Sequence, residues 1–396
     1  MNAERRTNDR IAATRTARRL TQRQLAESAH ISLSLIRKIE QGRRPASDQA
    51  LEAIASALGV QPDALTGRRL DTDSRVHAAI PSLRTVIDAY DLPEDGLIRP
   101  LDQLRKAADE ATRLRLASQY TLLVETLPPL LAELTRAAHG AHGFQLQATA
   151  GLLAVAYRAA DAVAYKYGYY DLSARLVELM RRASDMADDP ALRATAAYVR
   201  TEVFFASCNL TPAMRALESA IDEIPQQGTP VTRAAAGSLH MRAAVVAARS
   251  TDDPAAVDEH LAHAQRLAAS VPEGIYNGTA FGPASLRVHE IAVAVELGDA
   301  SRALNVAESS VDETDRTTLA GLPAERSSHY LIDLARARLW LGLRDEAFQS
   351  LQAARKIAPQ HVREHPHVRD ALVTLLRLHF APPHALVTFA EWAHAI

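Results

Sequence analysis

Residues Thr21–Arg44 read TQRQLAESAHISLSLIRKIEQGRR, and the rest of the chain is organised around them. Thr21 can cap a helix whose apolar face is Leu25 and Ala29, with Ala26 small enough for close packing. His30 and Ile31 interrupt that period, and Ser32 can cap a second helix that runs to about Gln41. On the second helix Ile36 and Ile39 point one way, while Ser34, Arg37, Lys38 and Gln41 are left for the outside. Two short helices around a tight turn, the second presenting polar and cationic groups outward, describe a helix-turn-helix. An ordinary helical hairpin gives no reason for that crowding of the outer face.

The stretch resembles the Cro/CI-like, or XRE-family, DNA-binding domain, and the likeness covers about residues 8 to 66. It is carried by TQRQLAESA, SLSLIRKIEQGRRP and ALEAIASALGV. The resemblance implies an all-α, five-helix lambda-repressor-like domain. Its first helix falls around Asp9–Arg19, then come the two motif helices, the loop Gly42–Ala46, a fourth helix Ser47–Leu58, and a last segment at Pro62–Leu65. The turn position that the family usually gives to glycine is His30 here, so His30 must accept a positive φ. Double-stranded DNA is the implied partner, with the second helix in the major groove and Ser32, Leu33, Ser34 and Leu35 at base edges. Thr21, Gln22, Arg23, Arg37, Lys38, Arg43 and Arg44 are placed for phosphates or outer bases. Leu33 and Leu35 suit thymine methyls or, equally, the core of the domain itself.

The whole chain has 396 residues, enough for two or three domains, and its Ala-, Leu- and Arg-rich composition with few aromatics favours helices throughout. Net charge is −2 but unevenly placed: residues 1–67 hold 11 Lys and Arg against 7 Asp and Glu, so the surplus of cations lies at this end. There is no long apolar run and no charged-then-apolar leader, so a soluble, cytoplasmic protein without membrane contact is expected. The single cysteine, Cys208, excludes an internal disulfide and reads in VFFASCNL as a small core residue. Nucleotide loop, serine elbow and zinc-protease motifs are all missing, and the carboxylate pairs Asp188–Asp189 and Asp252–Asp253 sit beside prolines as helix caps. Neither catalysis nor a cofactor is expected. Histidines crowd HVREHPH (His361, His365, His367) and HGAH (His139, His142), but Pro366 interrupts the first group and no acidic or cysteine ligand completes a set. Solvated histidines at helix ends are expected there, not a metal site.

A DNA-binding domain over 1–67 is followed, on this reading, by a hinge and linker helix over 68–100. Thr66–Ser74 is polar, Arg75–Tyr90 carries Val76, Ile80, Leu83 and Ile87 on one stripe that Pro81 is expected to kink or restart, and residues 91–100 form a loop. The remainder, 101–396, is helical in period. Pro128 and Pro129 are expected to split QYTLLVETLPPLLAELTRAA into two helices. Turns then recur at Gly168, Asn209, Thr251, Gly298 and Gly342, at intervals of 41, 42, 47 and 44 residues, which points to a solenoid of helix pairs. In the last unit Leu331, Leu334 and Ala335 precede Gly342, Ala347, Leu351 and Ala354 follow it, and Pro359 closes it, a pattern that resembles the tetratricopeptide repeat. A non-repeating helical array is the alternative. The apolar tail Phe380–Ile396, with Leu386, Val387, Phe389, Trp392 and Ile396, suits a cap or a dimer contact.

A reader of this type followed by such repeats resembles the peptide-responsive regulators of Gram-positive bacteria, with a composition closer to the actinobacterial branch. The resemblance implies a homodimeric transcription regulator whose repeats sense an effector, a peptide or a small molecule. The other reading is a scaffold whose repeats dock a partner protein. For the effector, aligning helices on their turns puts Arg158, Tyr165 and Lys166, from YRAADAVAYKYGYY, on the concave face. The same alignment adds Met241, Ser285, Val288, His329 and Arg336, and the loop NGTAFGP with its flank adds Tyr276, Asn277 and Phe281. Packing between repeats is the alternative for each of them.

Overall fold

The computed structural model describes residues 2–17, 20–44, 46, 48–58, 65, 72–225, 228–250, 254–309 and 321–396. The chain divides into a unit over Met1–Arg75 and a second over Val76–Ile396. In the first lie α1 (Asn2–Ala17), α2 (Gln22–Ser28), α3 (Leu33–Glu40) and α4 (Asp48–Leu58). Their apolar faces meet in one core around Ile11, Leu25, Ile36, Ile39, Ile54 and Leu58. Thr21 caps α2 in a reciprocal box: its hydroxyl accepts the Gln24 N–H at 3.2 Å, and Gln24 Oε1 accepts the Thr21 N–H at 2.9 Å. Ser32 Oγ caps α3 by accepting the Leu35 N–H at 3.2 Å. Between them His30 takes φ 52°, the left-handed conformation the turn requires. The first helix begins at Asn2, ahead of the expected Asp9, and is described as far as Ala17; residues 18 and 19 lie outside the described residues. Leu65 is buried in the same core; the rest of the expected fifth segment, and residues 66–71 of the hinge, lie outside the described residues.

The second unit is a stack of helix pairs. Leading it is α5 (Thr72–Asp88), which runs through Pro81 without interruption and buries Val76, Ile80, Leu83 and Ile87 in the core of this unit. The pairs follow in order: α6 (Leu101–Leu116) with α7 (Tyr120–His139), α8 (Gly143–Lys166) with α9 (Tyr170–Ala187), α10 (Pro190–Ala206) with α11 (Leu210–Asp222), and α12 (Pro230–Arg249) with α13 (Pro254–Ala268). Next come α14 (Pro283–Glu296) with α15 (Ala300–Glu308), α16 (Ala324–Trp340) with α17 (Arg344–Ile357), the short α18 (Pro359–Glu364), and α19 (Pro366–Leu378) with α20 (His384–Trp392). The first helix of each pair packs on its partner and on the first helix of the next pair, as in tetratricopeptide-like stacking.

One turn chemistry recurs through the stack. Ser118, Gly168, Cys208, Gly298 and Gly342 take positive φ, and the next residue returns its N–H to the carbonyl five positions back. Those bonds, from Gln119 to Leu114, Tyr169 to Ala164, Asn209 to Phe204, Asp299 to Ala294 and Leu343 to Arg338, measure 2.8–2.9 Å. Cys208 is therefore an exposed residue in a left-handed turn, not the small core residue its neighbours suggested. The expected turn at Thr251 lies outside the described residues.

One further expectation gives way. Pro128 and Pro129 do not split their segment: α7 is continuous through both. An interior proline costs about 3 kcal/mol, but Leu123, Leu127, Leu130, Leu131 and Leu134 are buried on one face. At roughly 1.5–3 kcal/mol each, five leucines outweigh two prolines. The C-terminal tail turns its apolar face inward: Leu386 and Phe389 are buried against α19, and Arg355 lies over the rings of Phe389 and Trp392 at 4.9 and 4.0 Å. That face caps the stack within the chain. Among the described residues no helix is long and apolar enough to cross a membrane.

The strands among the described residues form a single hairpin, β1 (Gly274–Tyr276) and β2 (Thr279–Phe281), paired antiparallel with Tyr276 opposite Thr279. Asn277 and Gly278 turn it with φ 48° and 72°, the pair of positive values that suits a two-residue turn. Phe281 anchors it: the ring lies so close to α12 that a Cβ on Gly237 would come within 2.0 Å of it.

Candidate DNA interface and a central cleft

On the first unit the expected DNA-facing residues divide by burial. Thr21, Arg23, Ser32, Ser34, Arg37, Lys38, Arg43 and Arg44 are exposed. Leu33 and Leu35 are half-buried against the core, so packing occupies much of both side chains. Gln22 is also tied down, its Nε2 donating to Glu40 Oε2 at 2.8 Å. Glu40 is a residue the sequence reading passed over. It accepts Arg15 Nε at 2.7 Å and Nη2 at 3.1 Å, while Arg15 Nη1 donates to the Leu20 carbonyl at 2.8 Å. Hydrogen bonding to Glu40 holds the Arg15 guanidinium above its ordinary pKa. One nearly buried carboxylate thus joins α1, α2 and α3, and its charge is spent inside the domain. At the end of α3, Gly42 takes φ 68° and the Arg43 N–H returns to the Lys38 carbonyl at 2.9 Å, which carries Arg43 and Arg44 out beyond the helix. The outer face that remains is hydroxyl-bearing at the start of α3 and cationic along and after it.

The first helices of the second unit enclose a cleft of about 700 Å³. Arg158, Tyr165 and Lys166 line it, as do Val288, His329 and Arg336. Met241 and Ser285 are fully buried away from it. Eight Arg and Lys side chains face five carboxylates across the cleft, a cationic surplus in a unit that is acidic as a whole. Glu325 on α16 holds two of these cations, Lys166 Nζ at 2.8 Å and Arg115 Nη1 at 3.4 Å. Burial opposes charge on both Lys166 and Glu325. Attraction more than offsets burial at both: Glu325, with Tyr120 and Glu202, holds the lysine above its usual range, and Lys166 with Arg115 holds the carboxyl well below its own. Glu296 likewise joins Arg249 at 3.1 Å to Arg336 at 3.2 Å.

The hairpin tip enters the cleft backbone-first. Arg158 Nη1 donates to the Asn277 carbonyl at 2.5 Å, and Arg115 Nη2 donates to the Gly278 carbonyl. A Cβ on Gly278 would stand 3.0 Å from Arg115 and 3.3 Å from Arg158, so glycine is what lets both guanidiniums reach the turn. Burial, with Arg115 nearby, pushes Arg158 down to about 9, still cationic at neutral pH. Burial and Glu202 push Tyr165 up to about 12. The other hairpin residues expected to meet an effector do not line the cleft. Tyr276 turns back and donates its hydroxyl to the Pro272 carbonyl at 2.8 Å. Phe281 is fully buried as the anchor of the hairpin, so its expected contact with a ligand is replaced by packing. Arg115, Arg326 and Glu325 were missed.

Two histidines of HVREHPH, His361 and His365, are turned into the cleft wall, while the His367 side chain stays 36 % exposed. His361 is 2 % exposed, and His361 and His365 meet His329 on the cleft wall with ring centroids 4.4 and 5.2 Å from it. Burial and neighbouring positive groups hold all three well below the ordinary histidine range. His139 and His142 are exposed, as expected.

Residues 9–79 match the family described as a helix-turn-helix domain. A stretch of 58 residues is 50 % identical to the immunity repressor protein of Bacillus phage phi105, covering 15 % of this chain and 40 % of that protein. The crystal structure of Bacillus thuringiensis PlcR in complex with the peptide PapR7 and DNA is similar over 67 % of this chain and 95 % of that chain, at 13 % identity and a TM-score of 0.30. A likeness that slight carries no structural argument.

Proposed function

We propose, from the helix-turn-helix match over residues 9–79, that the chain is a cytoplasmic, sequence-specific DNA-binding regulator that acts as a homodimer and is controlled by an anionic effector. The observation that carries the DNA-binding reading is the exposed row Arg37, Lys38, Arg43 and Arg44 beside the exposed Ser32 and Ser34. Cations there release counterions from phosphates, and hydroxyls at the start of α3 address base edges. Two such domains on half-sites about 34–36 Å apart, or a multiple, give the usual geometry for pairs of this motif.

Control by an effector is supported by the cleft of about 700 Å³ and its surplus of cations. A carboxylate- or phosphate-bearing peptide or small molecule would compete with the Asn277 and Gly278 carbonyls for Arg158 and Arg115. Small rotations between helix pairs add along such a stack, so a ligand that prefers one pitch shifts DNA affinity by its differential affinity for the two states.

Genomic footprinting of the protein would supply its operator. The full chain should then bind the footprinted duplex at least about a thousandfold more tightly than a scrambled one at physiological salt. Equal affinity for both duplexes would remove the reading.

A further inference from the structure

We infer that His329, His361 and His365 form a binding site for a divalent transition metal of the zinc class on the wall of the cleft. One ligand nitrogen from each lies within 4.8 Å of the others. Tetrahedral coordination with bonds of about 2.0–2.1 Å sets nitrogens roughly 3.4 Å apart, within reach of small side-chain rotations. The three come from separate segments: His329 from the first half of α16, His361 from α18, and His365 from the joint between α18 and α19. Pro366, read in the sequence as an obstacle to aiming these rings, starts α19 and leaves His365 at the joint between the two helices.

Protonation is arranged for a ligand set. Ser328 Oγ donates its one proton to the Glu325 carbonyl at 2.8 Å and lies 2.7 Å from His361 Nδ1. Both bonds are satisfied only when Nδ1 carries the imidazole proton and donates to Oγ. His361 Nε2 is then a lone-pair donor, and its ring is oriented by a hydrogen-bonded partner behind it, as ligating histidines generally are. His365 supplies an independent observation: its Nδ1 is buried and has no hydrogen-bond partner. A buried imidazole nitrogen without a partner is an anomaly that a metal ion would remove.

The donor set also restricts the metal. Three neutral imidazoles suit zinc, nickel or copper, and offer nothing to magnesium or calcium, which take oxygen ligands. Lys166 stands near and disfavours a cation, but Glu325 pairs with it at 2.8 Å and offsets its charge. All three histidines line the cleft, so three protein ligands leave the fourth position open to water or to a solute there.

The test uses the untagged full chain stripped with a chelator. Equilibrium dialysis should return one Zn2+ per chain, unaffected by excess Mg2+ or Ca2+, and Co2+ should give the visible absorption of a low-coordinate site. Ser328→Ala, which removes only the orienting hydroxyl, should weaken Zn2+ binding about 10–100-fold. His365→Ala should weaken it at least as much, while His240→Ala, in the separate cluster with His260, should leave it unchanged. Failure of the wild-type chain to take up stoichiometric Zn2+ would overturn the site. Unaltered affinity in a folded Ser328→Ala or His365→Ala variant would do the same. Should His365→Ala fail to fold, the wild-type stoichiometry and Ser328→Ala still decide the matter.

Discussion

The two units use the same residue types in opposite ways. Around α3, Arg37, Lys38, Arg43 and Arg44 stand exposed. In the cleft, the Lys166 and Arg115 side chains are 16 % and 7 % exposed and share Glu325 between them. Charge held in water is cheap to keep and sensitive to salt; charge taken out of water is tolerable only with a partner and is little screened. Basic residues at the reader can therefore be exchanged for polyanion contacts at small cost to the fold. Those in the cleft are structural first, and any ligand they bind must replace what they already hold.

The largest effect should come from breaking that network. Glu325→Gln keeps the shape and removes the charge, leaving Lys166 and Arg115 without their carboxylate in a nearly buried site. Losing one partner of a buried pair costs about 3–5 kcal/mol. Chemical denaturation of the full chain should show that loss in the transition of the second unit, with the reader largely unaffected. An unchanged midpoint would mean that water, not Glu325, stabilises these cations.

Acid should act on the second unit as well. Burial, with His260, His263 and Arg266 around it, pushes His240 down to about 4, and burial with Arg326 holds His289 well below the usual range. Both titrate near 6.5 when unfolded. Between about pH 6.5 and 4 the unfolded chain takes up protons that the folded chain refuses, so stability is full above that window and falls as pH drops through it. Asp333, pushed up to about 6 by burial, acts the other way, because its folded form gains the proton first. Lowered histidines outnumber such carboxyls, since His260, His329, His361, His365 and His367 join them. The chelated protein should melt at a lower temperature at pH 5 than at pH 7.5. Equal melting temperatures would show that the raised carboxyls balance the histidines.

How much of this could be read in the sequence follows the range of the interaction. Thr21 with Gln24, Ser32 with Leu35, and the left-handed His30 are local, and all three were legible. So were the turns at Gly168, Gly298 and Gly342, because each is a left-handed residue closed by bonds within six positions; the turn read at Asn209 has its left-handed residue one position earlier, at Cys208. Asn277–Gly278 between GIY and TAF was an equally local hairpin signal, and it went unread as such. Elsewhere the deciding partners are remote. Glu325 meets Arg115 across 210 positions, and His329 reaches His361 across a turn and a helix. No spacing rule sees those contacts. The Pro128–Pro129 helix failed differently: a local breaker was outweighed by tertiary burial of the leucines around it.

At the reader, Arg37→Ala and Arg43→Ala should weaken binding to every duplex and flatten its dependence on salt. If each side chain neutralises one phosphate, the slope of log affinity against log salt should fall by about 0.9 per substitution. Binding measured on the footprinted and scrambled duplexes at four salt concentrations gives both quantities together. A loss confined to the footprinted duplex, with an unchanged slope, would move these residues to base recognition.

Ser34→Ala should have the smallest effect and the most diagnostic one. Ser34 is exposed on the second residue of α3, carries no charge, and has its core-facing neighbours Leu33 and Leu35 to hold the helix in place. Removing its hydroxyl leaves the charges of the cationic row untouched, so the salt slope should not move. What can change is preference at one base-pair position, because a single hydroxyl bonds a base edge without the two-point geometry that discriminates strongly. The expected result is a loss on the footprinted duplex of about 1–3 kcal/mol or less. Scrambled DNA should be bound as before. Equal loss on both duplexes would place Ser34 on the phosphate backbone, and the sequence-reading surface would then have to be sought in Arg37 and the residues beside it.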